Sequence, residues 1–178
     1  MQLAGPPGAT APWTLVISHP PCDDLSLAGA RWWPVKRADG RQDAAAEFFM
    51  AMTRWDSPYW AVENPRGDMT RRYRKPDQEV EPFWFGDPFV KKTCLWRSET
   101  LPDLFPDNVV IPTGRITTGG GSWRTDKAAA RSAMSAYEDS EGRVNRARVR
   151  SRTMLGFARA LAAQWGAYIE AEKGGVLA

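Results

Sequence analysis

Cysteine and histidine are scarce in this 178-residue chain, with two of the first and one of the second. A zinc site built from four Cys or His ligands is therefore excluded within one chain. Two cysteines make no disulfide framework of the secreted kind, which fits a reducing cytosol. No apolar run approaches the ~18 residues of a membrane span, so the expectation is a cytoplasmic protein. The first residues, Met1-Gln2-Leu3-Ala4-Gly5-Pro6-Pro7-Gly8, lack the charged-then-apolar pattern of a signal peptide. A strong excess of either charge is missing too: the net charge is only +3, which by itself does not announce a nucleic-acid binder. No internal repeat is found.

The length suits one domain with a sizeable core. Residues 1–12, small and rich in Gly and Pro, are expected to be flexible, and 13–178 to form a single domain with a loop-rich insertion over 97–149. Basic residues gather in two places: Arg66, Arg71, Arg72, Arg74 and Lys75, then Arg143, Arg146, Arg148, Arg150 and Arg152. Both readings of these groups stand, phosphate-backbone contacts or solvated loops. Tryptophan is unusually frequent, nine against four tyrosines. Most fit core or rim packing, while Trp32-Trp33 are placed to line a pocket for a flat base.

Trp13–Ser18 reads as a first buried strand. Arg41 to Trp55 reads as a helix whose apolar face is Ala45, Phe48, Phe49, Met52 and Trp55, ended by Asp56-Ser57-Pro58. Tyr59–Asn64 is a second buried strand stopped by Pro65. Strand, helix and strand make a βαβ unit, which implies a parallel pair. Beyond it come a basic turn or short helix over Arg66–Lys75, an extended stretch over Gln78–Phe85, and an edge strand over Phe89–Trp96. Asp126 is placed to cap a helix from Lys127 to about Tyr137. A last helix runs from Arg152 to Ala171, with Leu155, Ala158, Leu161, Ala162, Trp165 and Ile169 on one face.

Directly after the first strand comes His19-Pro20-Pro21-Cys22-Asp23-Asp24-Leu25-Ser26-Leu27-Ala28-Gly29-Ala30-Arg31. Two prolines fix the backbone that enters Cys22. Strand ends border the ligand crevice of open α/β sheets, so a thiol presented there is placed for chemistry. Glu63-Asn64-Pro65 ends the second strand, and parallel neighbours would bring Glu63 and Cys22 to one crevice.

The loop resembles the catalytic Pro-Pro-Cys-x-x-x-Ser-x-Ala-Gly-x-Arg loop of the cytosine-5 DNA methyltransferases over its whole length. Glu63-Asn64 resembles that family's Glu-Asn-Val motif. Phe83 to Trp96 resembles its Tyr-Gly-x-Pro-Gln-x-Arg-x-Arg stretch, with Lys91 and Lys92 in the region of the arginines and no Gln after Pro88. Arg150-Ser151-Arg152-Thr153 occupies the place of the C-terminal motif without its Gly-Asn-x-Val-Pro-Pro. With Lys75-Pro76-Asp77-Gln78, the pattern is similar to a divergent, phage-type branch. It covers residues 13–96 and, at fewer positions, 150–166.

The resemblance implies a partial Rossmann-like methyltransferase fold of the α/β class, a mostly parallel sheet with flanking helices. It implies DNA as partner and S-adenosylmethionine as cofactor. Neither the Gly-rich loop of the cofactor site nor its acidic residue is found, so the cofactor half is expected to be missing and a second subunit becomes a candidate for supplying it. Cys22 takes the role of the nucleophile that adds to cytosine carbon 6, and Glu63 that of the acid that protonates ring nitrogen 3. The target base must first be flipped out of the duplex. Asn64 would hold the loop or the base. Pro21, Ser26, Arg31, Lys91 and Lys92 would meet the substrate, and Arg71, Arg72, Arg146 and Arg148 the DNA backbone. His19 stands where the family has a small residue, either favouring the thiolate or filling space. Cys94 reads as a small buried hydrophobe. Two other functions remain open: a non-catalytic DNA-binding or regulatory module, and a folate-dependent pyrimidine hydroxymethylase.

Overall fold

The computed structural model describes residues 13–112, 114–115 and 154–175. They fall in two compact units whose boundaries along the chain lie after Val80, Lys91 and Leu101. The expected flexible terminus, most of the 97–149 insertion, the Lys127–Tyr137 helix, and Arg146 and Arg148 lie outside the described residues.

In chain order the elements are β1 (Leu15–Ser18), a 3-10 helix (Leu27–Trp32), α1 (Trp33–Ala38), α2 (Arg41–Ala51), β2 (Tyr59–Pro65), α3 (Met69–Arg72) and β3 (Gln78–Val80). A second 3-10 turn (Pro82–Trp84), β4 (Phe89–Val90), β5 (Thr93–Arg97), β6 (Gly114–Arg115) and α4 (Leu155–Lys173) follow. The class is mixed α/β, a small mixed sheet with flanking helices.

The first unit holds a four-stranded sheet in the order β1-β2-β5-β3. β1 and β2 run parallel, with Leu15 opposite Tyr59 and Ser18 opposite Val62. The βαβ expectation is met here: α2 provides the crossover that a parallel pair needs. The sheet is not mostly parallel, however. β5 runs antiparallel to both β2 and β3, and β3 returns to β5 without a crossover helix, which only antiparallel strands allow.

The expected edge strand over Phe89–Trp96 is two strands. Phe89–Val90 pairs with Gly114–Arg115 in the second unit, whereas Thr93–Arg97 lies between two neighbours in the first. Thr93, Cys94, Leu95 and Trp96 are all buried. A continuous buried run is what a central strand shows; Lys91 and Lys92 just before it imitate the charged edge of a sheet.

α2 covers the face of β2 and β5 that carries Val62, Cys94 and Trp96, with Leu25 and Met69 completing the cluster. Phe49 meets Trp96 edge-on at 5.1 Å and Tyr73 at 6.2 Å between ring centroids. Burying a ring of this size contributes about 2–3 kcal/mol. α2 buries Gln42, Ala46 and Phe49, and Ala45 and Met52 of the expected face pack partly buried against the same core. Phe48 is 50% exposed, and Trp55 lies past the end of the helix, donating from Nε1 to Ser18 Oγ at 3.0 Å.

In the second unit α4 buries Phe157, Ala160, Leu161, Trp165 and Ile169. Leu161, Trp165 and Ile169 are as expected, whereas Phe157 packs on Phe85 at 5.5 Å and Leu155, expected on the buried face, is left 82% exposed. The Asp87 carboxylate accepts from the Phe157 N–H at 3.0 Å, satisfying an orphan donor of the first turn. Among the described residues no helix is long and apolar enough to cross a membrane.

Candidate active site at the ends of β1 and β2

The parallel register places the site. Ser18 is opposite Val62, so the next pair along the two strands is His19 and Glu63, the first residues of the chemistry-bearing segments. Their side chains meet: His19 Nδ1 lies 3.0 Å from Glu63 Oε2. Successive strand residues alternate between faces. Val62 and Asn64 therefore look toward α2, and Glu63 toward the opposite face. Glu63 is nonetheless only 8% exposed, and its Oε1 is buried with no hydrogen-bond partner.

Asn64 reaches back instead. Its Nδ2 donates to the Pro20 carbonyl at 2.9 Å, in a fully buried bond that fastens the Cys22 turn to β2. Of the two roles open to Asn64, the geometry displays the one of holding the loop.

Nearly every carbonyl of that loop has a donor. Cys22 O accepts from the Leu25 and Ser26 N–H groups at 3.1 and 2.8 Å, which closes the turn. Lys36 Nζ donates to Asp23 O at 2.6 Å and pairs with the Asp24 carboxylate at 2.8 Å. Gln42 Nε2 donates to Asp24 O at 3.2 Å, while its Oε1 accepts from Arg37 at 2.7 Å. Leu25 O accepts from the Asp68 N–H at 2.8 Å, and the Leu27 N–H donates to Arg66 O at 3.1 Å. These last two bonds zip the loop to the segment after β2 around Gly67. A Cβ at that glycine would run into the Leu25 carbonyl, so no other residue fits without parting the two segments. The half-buried, reduced Cys22 thiol thus stands on a preorganised turn whose Pro20 carbonyl is held by Asn64, the neighbour of Glu63.

The other expected site residues are distributed as follows. Pro21 is exposed and Ser26 is buried beneath the loop. Arg31 is exposed and its guanidinium lies 5.1 Å from the ring centroid of Trp32, itself 54% exposed. Lys92 pairs with Glu79 of β3 at 3.1 Å. Lys91 is buried in the second unit, its N–H donating to Glu81 Oε2 at 2.8 Å. Arg72 bridges the Asp43 and Asp68 carboxylates, and Asp43 above all holds its guanidinium firmly protonated. Arg71 extends into solvent, its guanidinium 3.6 Å from Asp68. Asp68 is buried and also within 3.7 Å of Arg37, so Arg37, Arg71 and Arg72 gather around this one carboxylate.

The sequence reading did not single out Lys36, Gln42, Gly67 and Asp68, nor the partner of His19. Of these only the His19–Glu63 contact has a sequence signal. Each strand is closed by a proline, and laying the two side by side as parallel neighbours sets His19 across from Glu63.

Among the described residues the loop after β1 contains no glycine before Gly29, and at Gly67, the one glycine between β2 and α3, the space beside the Cα is filled by the Leu25 carbonyl. No glycine-rich turn lets backbone approach an adenosyl group there. The described residues therefore do not fit S-adenosylmethionine. No protein-family model, no curated protein and no solved structure matches the chain.

Proposed function

We propose that this chain is a cytosine-5 DNA methyltransferase-like protein in which Cys22 adds to carbon 6 of a flipped cytosine and Glu63 supplies the acid. The observation that carries the reading is the buried, unpartnered Glu63 Oε1 at the end of β2, beside a Cys22 turn fastened to the same strand through Asn64. A carboxyl desolvated in this way has a strong need for a hydrogen-bonding ligand. A pyrimidine ring nitrogen supplies one. Thiolate addition forms the sulfur–carbon 6 bond, and the electron pair displaced onto the ring is met by the proton from Glu63. Carbon 5 then has the character of an enamine and can attack a one-carbon electrophile.

A partial Rossmann-like fold, a cytoplasmic location, and DNA contacts through Arg31, Arg71 and the second basic cluster belong to this reading. So does a second subunit that brings the methyl donor. An alternative version has a folate-borne one-carbon unit as the electrophile. Mass spectrometry of the modified base, hydroxymethylated or methylated, separates the two.

The test uses DNA bearing 5-azacytosine, whose extra ring nitrogen makes carbon 6 electrophilic enough that addition does not wait for a donor. A covalent protein–DNA adduct is expected with the native chain and with Cys94→Ala, and none with Cys22→Ala. Folded native protein that forms no adduct overturns the proposal.

A further inference from the structure

We infer that His19 is the positioning residue of the Glu63 carboxyl, and that it assigns the acid hydrogen to Oε1. The inference rests on Glu63 being the acid of the proposed reaction. His19 follows β1 by one residue and Glu63 holds the matching place on β2, so the contact is a product of the parallel register rather than of a mobile side chain. An ionised carboxylate only accepts hydrogen bonds. With Nδ1 at 3.0 Å from Oε2, the hydrogen of this bond belongs to Nδ1, and the imidazole is held in its Nδ1–H form.

Two consequences follow for Glu63. Its rotamer is fixed by a partner on the neighbouring strand. Oε2 is also committed as an acceptor, so when the carboxyl takes up a proton the hydrogen resides on Oε1, the oxygen that has no protein partner. The carboxyl is thereby presented as a donor in one direction only. A ring nitrogen able to accept, as nitrogen 3 of cytosine does, suits that arrangement. Against the protonated carboxyl the corresponding N–H of thymine or uracil does not, because two donors would face each other. In its protonated form Glu63 thus offers ring nitrogen 3 of cytosine a donor whose direction His19 sets.

The chain has a single histidine, so one imidazole signal reports the contact without assignment. In protein labelled with nitrogen-15, at a pH where the ring is neutral, the hydrogen is expected on Nδ1. Glu63→Ala is expected to move it largely to Nε2. A native protein whose hydrogen sits on Nε2 overturns the inference, whatever the variant does; so does a folded Glu63→Ala whose imidazole is unchanged.

A second measurement reads the consequence for chemistry. His19→Ala is expected to slow adduct formation with 5-azacytosine DNA by about tenfold or more. His19→Asn, which keeps an N–H donor near the Nδ1 position, is expected to recover most of that loss. Equal rates for native protein, His19→Ala and His19→Asn overturn the positioning role. Native protein with Nδ1–H imidazole and no adduct supports the contact and counts instead against the base-addition reading.

Discussion

Cys22 and Cys94 share a side chain and differ in everything that decides what a thiol does. Cys22 stands half-buried on a turn whose backbone carbonyls are held by Asn64, Lys36, Gln42 and Asp68. Cys94 lies at the centre of β5, opposite Asn64 on one side and Glu79 on the other, with none of its surface exposed. Burial pushes its thiol up to about 12, and the nearby Glu79 carboxylate adds to the effect. The lesson concerns position within a strand. The end of a strand offers a rigid platform with access to ligand, and its middle offers only packing.

The largest expected difference is in alkylation. Raising a thiol from 9.0 to about 12 lowers its thiolate fraction near pH 8 by about 10³-fold, and only the thiolate reacts. Iodoacetamide should therefore label Cys22 in the native protein and spare Cys94 until the chain unfolds, as peptide mass mapping will report. Labelling of both at similar rates would erase the distinction.

Next in size is Gly67→Ala, which forces the added methyl against the Leu25 carbonyl. A loss of about 2–4 kcal/mol in denaturant unfolding is expected from the strain and the two broken loop bonds. Alkylation of Cys22 should change with it while that of Cys94 stays slow. An unaltered midpoint would mean that the loop is not zipped to the segment after β2.

Stability against alkali comes third. The Cys94 thiol keeps its proton in the fold to about pH 12 and in the unfolded chain only to about pH 9. The folded state thus binds more protons between those values, and the contribution of Cys94 to stability, complete below pH 9, falls as pH rises toward 12. The slope from this one group is at most about 1.4 kcal/mol per pH unit. Cys94→Ala should flatten the alkaline limb of the stability curve by that amount, and identical slopes would remove the burial argument. Smallest is Lys92→Ala, which deletes an exposed pair with Glu79 and should cost less than about 0.5 kcal/mol in the same unfolding assay.

The βαβ unit was legible because β1 and β2 are short apolar runs ended by proline with a helical pattern between them; α2 begins at Arg41 as expected and ends at Ala51, short of the expected Trp55. The 3-10 helix and α1 over residues 27–38 were not. Pro34 and two adjacent tryptophans look like breakers there, yet proline is at home in the first turn of a helix. The faces of α2 and α4 were read in part, and the misplaced members have a shared reason: residues one position apart differ by about 100° on a helix, and tertiary partners choose among apolar neighbours. Of the two phenylalanines expected inward on α2 only Phe49 met an aromatic ring across the core, and on α4 Phe157 did so in place of the expected Leu155. At the site, Cys22, Glu63 and Asn64 were readable from their places at strand ends. Gln42 and Lys36 were not, because a donor that secures a loop carbonyl leaves no spacing pattern.

The place of β5 has a consequence for how the chain is made. β1, α2 and β2 leave the ribosome before residues 93–97, which must then slide in beside β2 and link it to β3. Until they arrive β2 has an open edge and the aromatic face of α2 lacks Trp96. The nascent chain is thus at its most adhesive just before its centre is complete. A fragment that stops after β3 would keep this exposed intermediate permanently, although it contains Cys22, Glu63, His19 and Asn64.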